Sequence, residues 1–463
     1  MSSGRPDAAA HAAAAALQVR KRLREVETQI LARAPESTPE PSLERVAQIM
    51  ELLGEPQRTF PVIHLTGTNG KTSTTRFIER ILRELGLSTG RFTSPHLHDI
   101  RERISLNGQP IDPERFIATY DDVLPYVELI DQRSAREGGP RTTYFELLVV
   151  MAYAAFADAP VDVAIVEVGL GGRWDATNVA DGQVAVITPI DIDHQRLLGT
   201  TLEAITLEKR DIVKAGAIAV IGRQEPDVSD LIGERAQLVG ATVVSEDEQF
   251  MVMTRDQAVG GQQVSIRGLA GDYNDLYLPL FGEHQAHNVA TSIAAVEAFL
   301  GGGEQPLDID LLREALSNLS SPGRLEVVRR SPTVLVDAAH NPAGARALAA
   351  ALVDSFNFAK LVGVVAILAD KDADAILQTL EPVLDQIVIT RTNSHRATDP
   401  EQLGALAREI FGEDRVFVVP SLPEALDRAA ELADEGGVAG GVLATGSVVT
   451  AAEVRALLGA TDV

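Results

Sequence analysis

Residues Phe60 to Thr66 form a short apolar run, too short for a helix, that leads directly into Gly67-Thr68-Asn69-Gly70-Lys71-Thr72-Ser73-Thr74. The residues from Lys71 to Leu85 then place Phe77, Ile78, Ile81, Leu82 and Leu85 at helical spacing, and Gly86 stops the helix. A buried strand, a glycine-containing loop and a helix in that order form a cradle for phosphate. The glycines let backbone amides approach phosphate oxygens, and the helix N-terminus adds partial positive charge. Lys71 supplies a full charge to the outer phosphates, while the hydroxyls of Thr72 or Ser73 can bond a phosphate or lie near Mg²⁺.

The rest of the chain narrows the setting. Its 463 residues suffice for two or three domains, and a formal charge of −25 argues against a broad nucleic-acid surface. An anionic small ligand is still compatible with that charge, because backbone amides and a few local cations can bind one. The absence of cysteine excludes a disulfide scaffold, thiolate zinc sites and a cysteine nucleophile, and it fits a reducing compartment. The alanine-rich start, Met1 to Ala16, does not read as a secretion signal, and the longest apolar run, Leu361 to Ala369, is too short to cross a bilayer. The expectation is a cytoplasmic protein with no membrane or nucleic-acid partner.

Apolar strands fit Val161–Val168, Val184–Ile190 and Ala217–Ile221, and alternating pieces between about 240 and 280 suggest added antiparallel strands. The spacing predicts helices over His11–Ala34, Leu43–Leu53 and Ala286–Leu300. After Ser320-Ser321-Pro322-Gly323 a second alternation begins. Strands fit Thr333–Asp337, Leu361–Ile367, Gln386–Thr390, Val416–Val419 and Gly441–Thr445, with helices in the intervals. The fold class is therefore α/β: a phosphate-loop domain on a mostly parallel sheet, plus a smaller C-terminal Rossmann-like doubly wound domain. The expected division is an N-terminal extension to residue 41, a nucleotide domain over 42–302, a linker over 303–322 and a C-terminal domain over 323–463.

Chemistry gathers at strand ends. Glu167 closes an otherwise apolar strand, where a carboxylate is costly unless paired or bound to a cation, so a Mg²⁺ ligand is the favoured reading. Asp193-His194 ends another strand, and the histidine reads equally as structural or as a ligand. By composition Lys209, in Glu208-Lys209-Arg210, is an ordinary helix charge. Asn288 near the start of its helix, Arg324 in Ser321-Pro322-Gly323-Arg324, and Asp337 to His340 at a second-domain strand end are weak signals taken singly.

In sequence they are specific. The chain resembles the folylpolyglutamate synthase/dihydrofolate synthase family, relatives of the Mur ligases, over about residues 42 to 450. The resemblance rests on GTNGKTS (67–73), TSPHL (93–97), RERI (101–104), TYFE (143–146), VEVGLGGRWDATN (166–178), DH (193–194), LEK (207–209), HNVATS (287–292), SPGR (321–324) and DAAHNP (337–342). A longer phosphate loop would need glycine where this chain has Leu65, and the shorter form is the one seen in ATP-driven amide ligases.

The resemblance implies ATP-dependent addition of L-glutamate to a pterin acid, dihydropteroate or a reduced folate, through an acyl phosphate. It implies Ser94, Glu167 and His194 as Mg²⁺ ligands, with Lys209 carbamylated as a further one. Lys71, Lys209 and His340 take catalytic roles. Gly67, Thr68, Asn69, Gly70, Lys71, Thr72 and Ser73, with Asn288, Arg324 and Asp337, contact ATP. Thr143, Tyr144, Phe145 and Glu146, with Trp174, Asp175 and Ala176, bind the pterin. Trp174 replaces a frequent leucine, which alters the pocket's shape. The expected working unit is a monomer. Two other readings are a Mur-type cell-wall ligase and an ATP-switched binding protein without ligase activity.

Overall fold

The structure is a computed structural model describing residues 5–34, 42–435 and 439–460, with residues 5–10 as backbone only. Residues Pro35 to Pro41, where the prolines are expected to end the N-terminal helix, lie outside the described residues. Two sheets organise two bodies. In the first, β1 (Val62–Thr66), β2 (Thr89–Phe92), β3 (Ile104–Leu106), β4 (Gln109–Pro110), β5 (Val163–Glu167), β6 (Val184–Ile187), β7 (Ile218–Ile221) and β8 (Thr242–Ser245) line up as β4-β3-β2-β5-β1-β6-β7-β8. The six strands from β2 to β8 in that order are parallel, and β3 and β4 add an antiparallel edge.

Every residue of β1 and β5 is buried, which is what a parallel sheet covered on both faces requires. On one face Phe77 and Ile81 of the helix Lys71–Glu84 pack with Ile293 of the helix Glu283–Gly301. On the other lie Phe116, Leu147 and Phe156, with Val26 and Ile30 from the N-terminal helix Arg5–Leu31. The antiparallel pieces form a meander of β9 (Met251–Ala258), β10 (Gly261–Arg267) and β11 (Asp272–Leu278). Residues Thr242–Ser245, expected within that set, instead extend the parallel sheet. The segment between the bodies is itself structured: its helix Ile309–Ser317 buries Leu312 and Leu316 against the first body.

The second body holds β12 (Glu326–Arg330), β13 (Thr333–Val336), β14 (Lys360–Val365), β15 (Gln386–Ile389), β16 (Val416–Val418) and β17 (Gly440–Thr445), ordered β12-β13-β17-β14-β15-β16. The five expected strands are parallel. The unexpected β12 is an antiparallel edge strand whose half-exposed residues carry no apolar run. In both bodies the loops at the carboxyl ends of the central strands face one cleft.

His64 sits inside β1 with no exposure, its Nε2 2.9 Å from Thr177 Oγ1. That hydroxyl donates to Asp175 at 2.6 Å, so Nε2–H is assigned as donor to Thr177. Burial, with Lys214 adding to it, holds the imidazole down at about 3. The unfolded imidazole takes a proton below about 6.5 and the folded one does not, so this stability is intact above that pH and lost as pH falls toward 3. His64→Gln should therefore flatten the fall in unfolding free energy between pH 6 and 4 by about 1.4 kcal/mol per unit, read from urea midpoints. Parallel slopes for the two proteins would refute this.

Candidate active site between the two bodies

The phosphate loop joins β1 to the helix Lys71–Glu84 and fits too closely for side chains at its glycines. A Cβ on Gly67 would lie 1.9 Å from Thr188 Oγ1, and one on Gly70, at φ +86°, 2.6 Å from Asn288 Oδ1. The Thr68 and Asn69 amides tie the loop to the end of β6 by donating to Pro189 O at 2.9 and 3.3 Å. The helix's own first N–H groups point out of its end, toward where a phosphate would sit.

Two lysines meet on one oxygen. Lys71 Nζ donates to Gly67 O at 3.0 Å and to Thr68 O at 3.2 Å, and Lys209 Nζ donates to the same Gly67 O at 2.7 Å. Lys209 ends the helix Leu202–Lys209 and is 4% exposed, unlike the ordinary helix charge that composition alone suggests. Burial first, and Lys71 second, press its amine well below the usual lysine range. Lys71 is also lowered by burial, with Glu167 and Asp193 opposing.

Glu167, at the end of β5, is 1% exposed, and burial raises its carboxyl against Lys71. One oxygen accepts from Thr72 Oγ1 at 2.8 Å and the other from the Ser94 amide at 3.3 Å, so Ser94 lies beside it. Ser73 Oγ reaches Ser321 Oγ of the connecting segment at 2.8 Å.

Across the cleft, Asp337 at the end of β13 accepts from the Leu325 amide at 2.8 Å and the Ala339 amide at 2.7 Å. Burial raises its carboxyl and Arg324 is the first opposing influence. Asn288 Oδ1 lies where a Cβ on Gly70 would sit, and the Arg324 charge acts on both Lys71 and Asp337. His340 Nδ1 lies 2.9 Å from Ala338 O, and its Nε2 faces Asp193 Oδ2 at 3.5 Å.

A cavity of about 1180 Å³ occupies the cleft. Thr143, Phe145, Glu146, Trp174, Asp175 and Ala176 line one wall, and His194 and His340 lie on its surface. Thr143 and Glu146 form a capping box at the start of the helix Tyr144–Asp158, and Arg45 pairs with Glu146 at 2.8 Å. Burial pushes the Asp175 carboxyl up to about 6, although Thr177 and the Leu170 amide bond it. Tyr144 is absent from the wall; its ring lies under the Arg103 guanidinium, 5.0 Å away. His194 adopts a left-handed φ of 51° and is more exposed than the groups at the loop.

Sequence reasoning missed the groups that join the bodies. Lys371, in the loop after β14, pairs with Asp193 at 2.6 Å, and both side chains are nearly buried. Asn341 Nδ2 donates to Asp193 at 3.0 Å and to Asn69 Oδ1 at 3.1 Å, and Arg346 pairs with Asp191 at 2.8 Å. Burial works against the Asp193 charge, but the His340 hydrogen bond, His194 and Lys371 outweigh it and hold the carboxyl far below its usual range. The run Asp370-Lys371-Asp372 follows a strand end, the rule that singled out Asp337, and could have been found the same way.

A phosphate loop facing a second α/β body across a substrate-sized cleft defines an ATP-dependent ligase of the Mur type. Residues 65–296 match the Mur ligase middle domain, and residues 323–448 match the Mur ligase glutamate ligase domain. The dihydrofolate synthase/folylpolyglutamate synthase of Mycobacterium tuberculosis is 50% identical over 457 residues, covering 94% of each chain. The Bacillus subtilis protein of the same description is 34% identical over 81% of this chain and 85% of its own. A crystal structure of Mycobacterium tuberculosis folylpolyglutamate synthase complexed with ADP and AMPPCP superposes with a TM-score of 0.90 at 49% identity, covering 95% of this chain and 99% of that one. Escherichia coli FolC in complex with DHPP and ADP gives 0.81 at 30% identity, over 96% and 98%. The chain belongs to the dihydrofolate synthase/folylpolyglutamate synthase family.

Removing Lys371 leaves Asp193 buried with fewer partners, a cost of about 3–5 kcal/mol that opening the cleft can relieve by hydrating the carboxylate. Because the chain has no cysteine, labels at Leu238→Cys and Val353→Cys, both exposed, report the separation of the bodies. In Lys371→Met that distance distribution should widen and lengthen; an unchanged distribution would show that the pair does not hold the cleft.

Proposed function

We propose that this protein joins the amino group of L-glutamate to the carboxylate of a pterin-containing acid, using ATP. The carrying observation is one continuous site. The cavity that Phe145 and Trp174 line ends at Asp193, His340 and Asn341, and Asn341 bonds the phosphate loop at Asn69. A pterin's flat ring suits the two aromatic side chains, with Glu146 and Asp175 beside them. Its carboxylate then points toward the transferable phosphate.

In the first step a carboxylate oxygen attacks the γ-phosphorus and ADP leaves. In the second the glutamate nitrogen attacks the acyl carbon, inorganic phosphate leaves, and the nitrogen gives up a proton. His340, its Nδ1 held at Ala338 O and its Nε2 turned to Asp193, stands on the cavity surface, where the His340–Asp193 pair lies beside the nitrogen that releases that proton. Positioning and charge neutralisation at the phosphoryl group carry the rate, with Lys71 as the fixed cation.

The donors beside the loop fit magnesium. Glu167 and Thr72 offer hard oxygens 2.8 Å from one another, and Mg²⁺ commonly takes one or two carboxylates with phosphate oxygens and water completing its shell. That requirement is compatible with the finding that no group of three or more histidine, cysteine or acidic side chains able to hold a metal ion occurs among the described residues. Ser94 and His194 are the further donors of this reading. The ion would neutralise charge on the phosphoryl oxygens. Burial disfavours the charged form of Lys209, and in its uncharged form the amine can add carbon dioxide and lose a proton to become a carbamate, replacing a repelling cation with an anion.

The reading takes residues 42–302 as the nucleotide domain, 303–322 as linker and 323–463 as the glutamate-ligase domain. It takes the working unit as one cytoplasmic chain, since both cleft walls come from that chain. No helix among the described residues is long and apolar enough to cross a membrane.

Lys71→Ala should lower turnover by roughly 10²- to 10³-fold, measured as ADP release that requires glutamate and a pterin acid. Near-normal release would contradict Lys71's role, and release indifferent to glutamate would indicate a switch instead of a ligase. Lys209→Ala should lose activity that added short carboxylates partly restore; no loss at all would return Lys209 to a structural role. Product mass with dihydropteroate or tetrahydrofolate as acceptor identifies the substrate.

A further inference from the structure

The end of the N-terminal helix reaches the segment that makes the pterin wall. Arg33 Nη1 donates to Asp131 Oδ2 at 3.0 Å and to Thr142 O at 2.9 Å. The other oxygen of Asp131 accepts from the Thr142 amide at 2.6 Å, so both backbone groups of Thr142 are held by this pair. The side chains of Arg33 and Asp131 are 7% and 6% exposed, whereas Arg141, also near Asp131, is 71% exposed. One residue further on, Ala34 O accepts from the Tyr144 amide at 3.1 Å.

These bonds fix the turn that starts the capping box of Thr143 and Glu146 and aims Phe145. Phe145 has little slack. It meets Phe92 edge-on at 5.8 Å, and a Cβ on Gly169 would lie 2.4 Å from its ring tip. Gly169 follows Glu167 by two residues. A shift of the turn therefore moves the cavity wall directly, while the phosphate loop lies beyond β5 and is held by other contacts.

We propose that Arg33 is a positioning residue that makes the N-terminal extension part of the pterin site, by bracing the Thr142–Glu146 turn through Asp131. This rests on the pterin reading of that wall. Its consequence is selective: loss of the brace weakens the pterin acid and leaves ATP alone. Val26 and Ile30 anchor the helix through the core, apart from Arg33, so the helix is expected to stay docked in the variant.

The test compares the full-length wild type with Arg33→Ala, Arg33→Lys and Arg22→Ala, using steady-state kinetics and thermal melting. Arg22 lies on the N-terminal helix that precedes Arg33 and pairs with Asp121 at an exposed site away from the turn. Arg33→Ala should raise KM for the pterin acid roughly tenfold or more, with KM for ATP unchanged. Arg33→Lys, which keeps the charge, should recover much of the loss, and Arg22→Ala should match wild type. An unchanged pterin KM in Arg33→Ala, or ATP and pterin KM values rising together with a lowered melting temperature, would overturn the brace alone. A wild type that turns over ATP with glutamate yet ignores every pterin acid would overturn both the brace and the functional reading beneath it.

Discussion

Two lysine side chains converge on the carbonyl oxygen of Gly67, and much of the site follows from that crowding. Two full ammonium charges sharing one acceptor in a buried place would repel strongly at low dielectric. Burial disfavours the charged form of both amines and more so that of Lys209, on which Lys71 also acts, while Asp193 opposes the shift in each. The two lysines are therefore chemically distinct although they share one acceptor. The loop's glycines permit the approach, since no side chain would fit at Gly67 or Gly70.

The cleft is built on the same charge logic. Asp193 stands between the phosphate loop and the second body and receives Lys371 and Asn341 from across the gap, with His340 near. Asp193, Lys371, Asn341 and His340 all line the cavity, whereas Arg255 pairs with Asp354 between the bodies away from it. The apolar cores reach the cleft: Phe145 packs on one core of the first body and Trp174 on another, and both line the cavity.

Much of the architecture was legible in the linear chain. Fully buried parallel strands such as Val62–Thr66 and Val163–Glu167 read as apolar runs because both faces are covered. Strands at the edges were harder: β12 is half exposed and β3 and β4 are only a few residues long, so none carries a clear pattern. Glu167 stood out because a carboxylate ending an apolar strand has few inexpensive explanations. Tyr144 did not follow its motif onto the cavity wall. Successive residues in a first helical turn point about 100° apart, so one of four neighbours turns away beneath Arg103.

The amino-acid order alone determined the local pieces: where strands and helices lie, where the phosphate loop opens, and which strand ends carry polar groups. These depend on spacing over a few residues. Only the tertiary structure decided which groups meet and in what charge state. Lys209 reaches Gly67 across 142 positions, Lys371 reaches Asp193 across 178, and Arg33 reaches Thr142 across 109. Desolvation and Coulomb attraction act through distance in space, and that distance is not written in the spacing of residues along the chain.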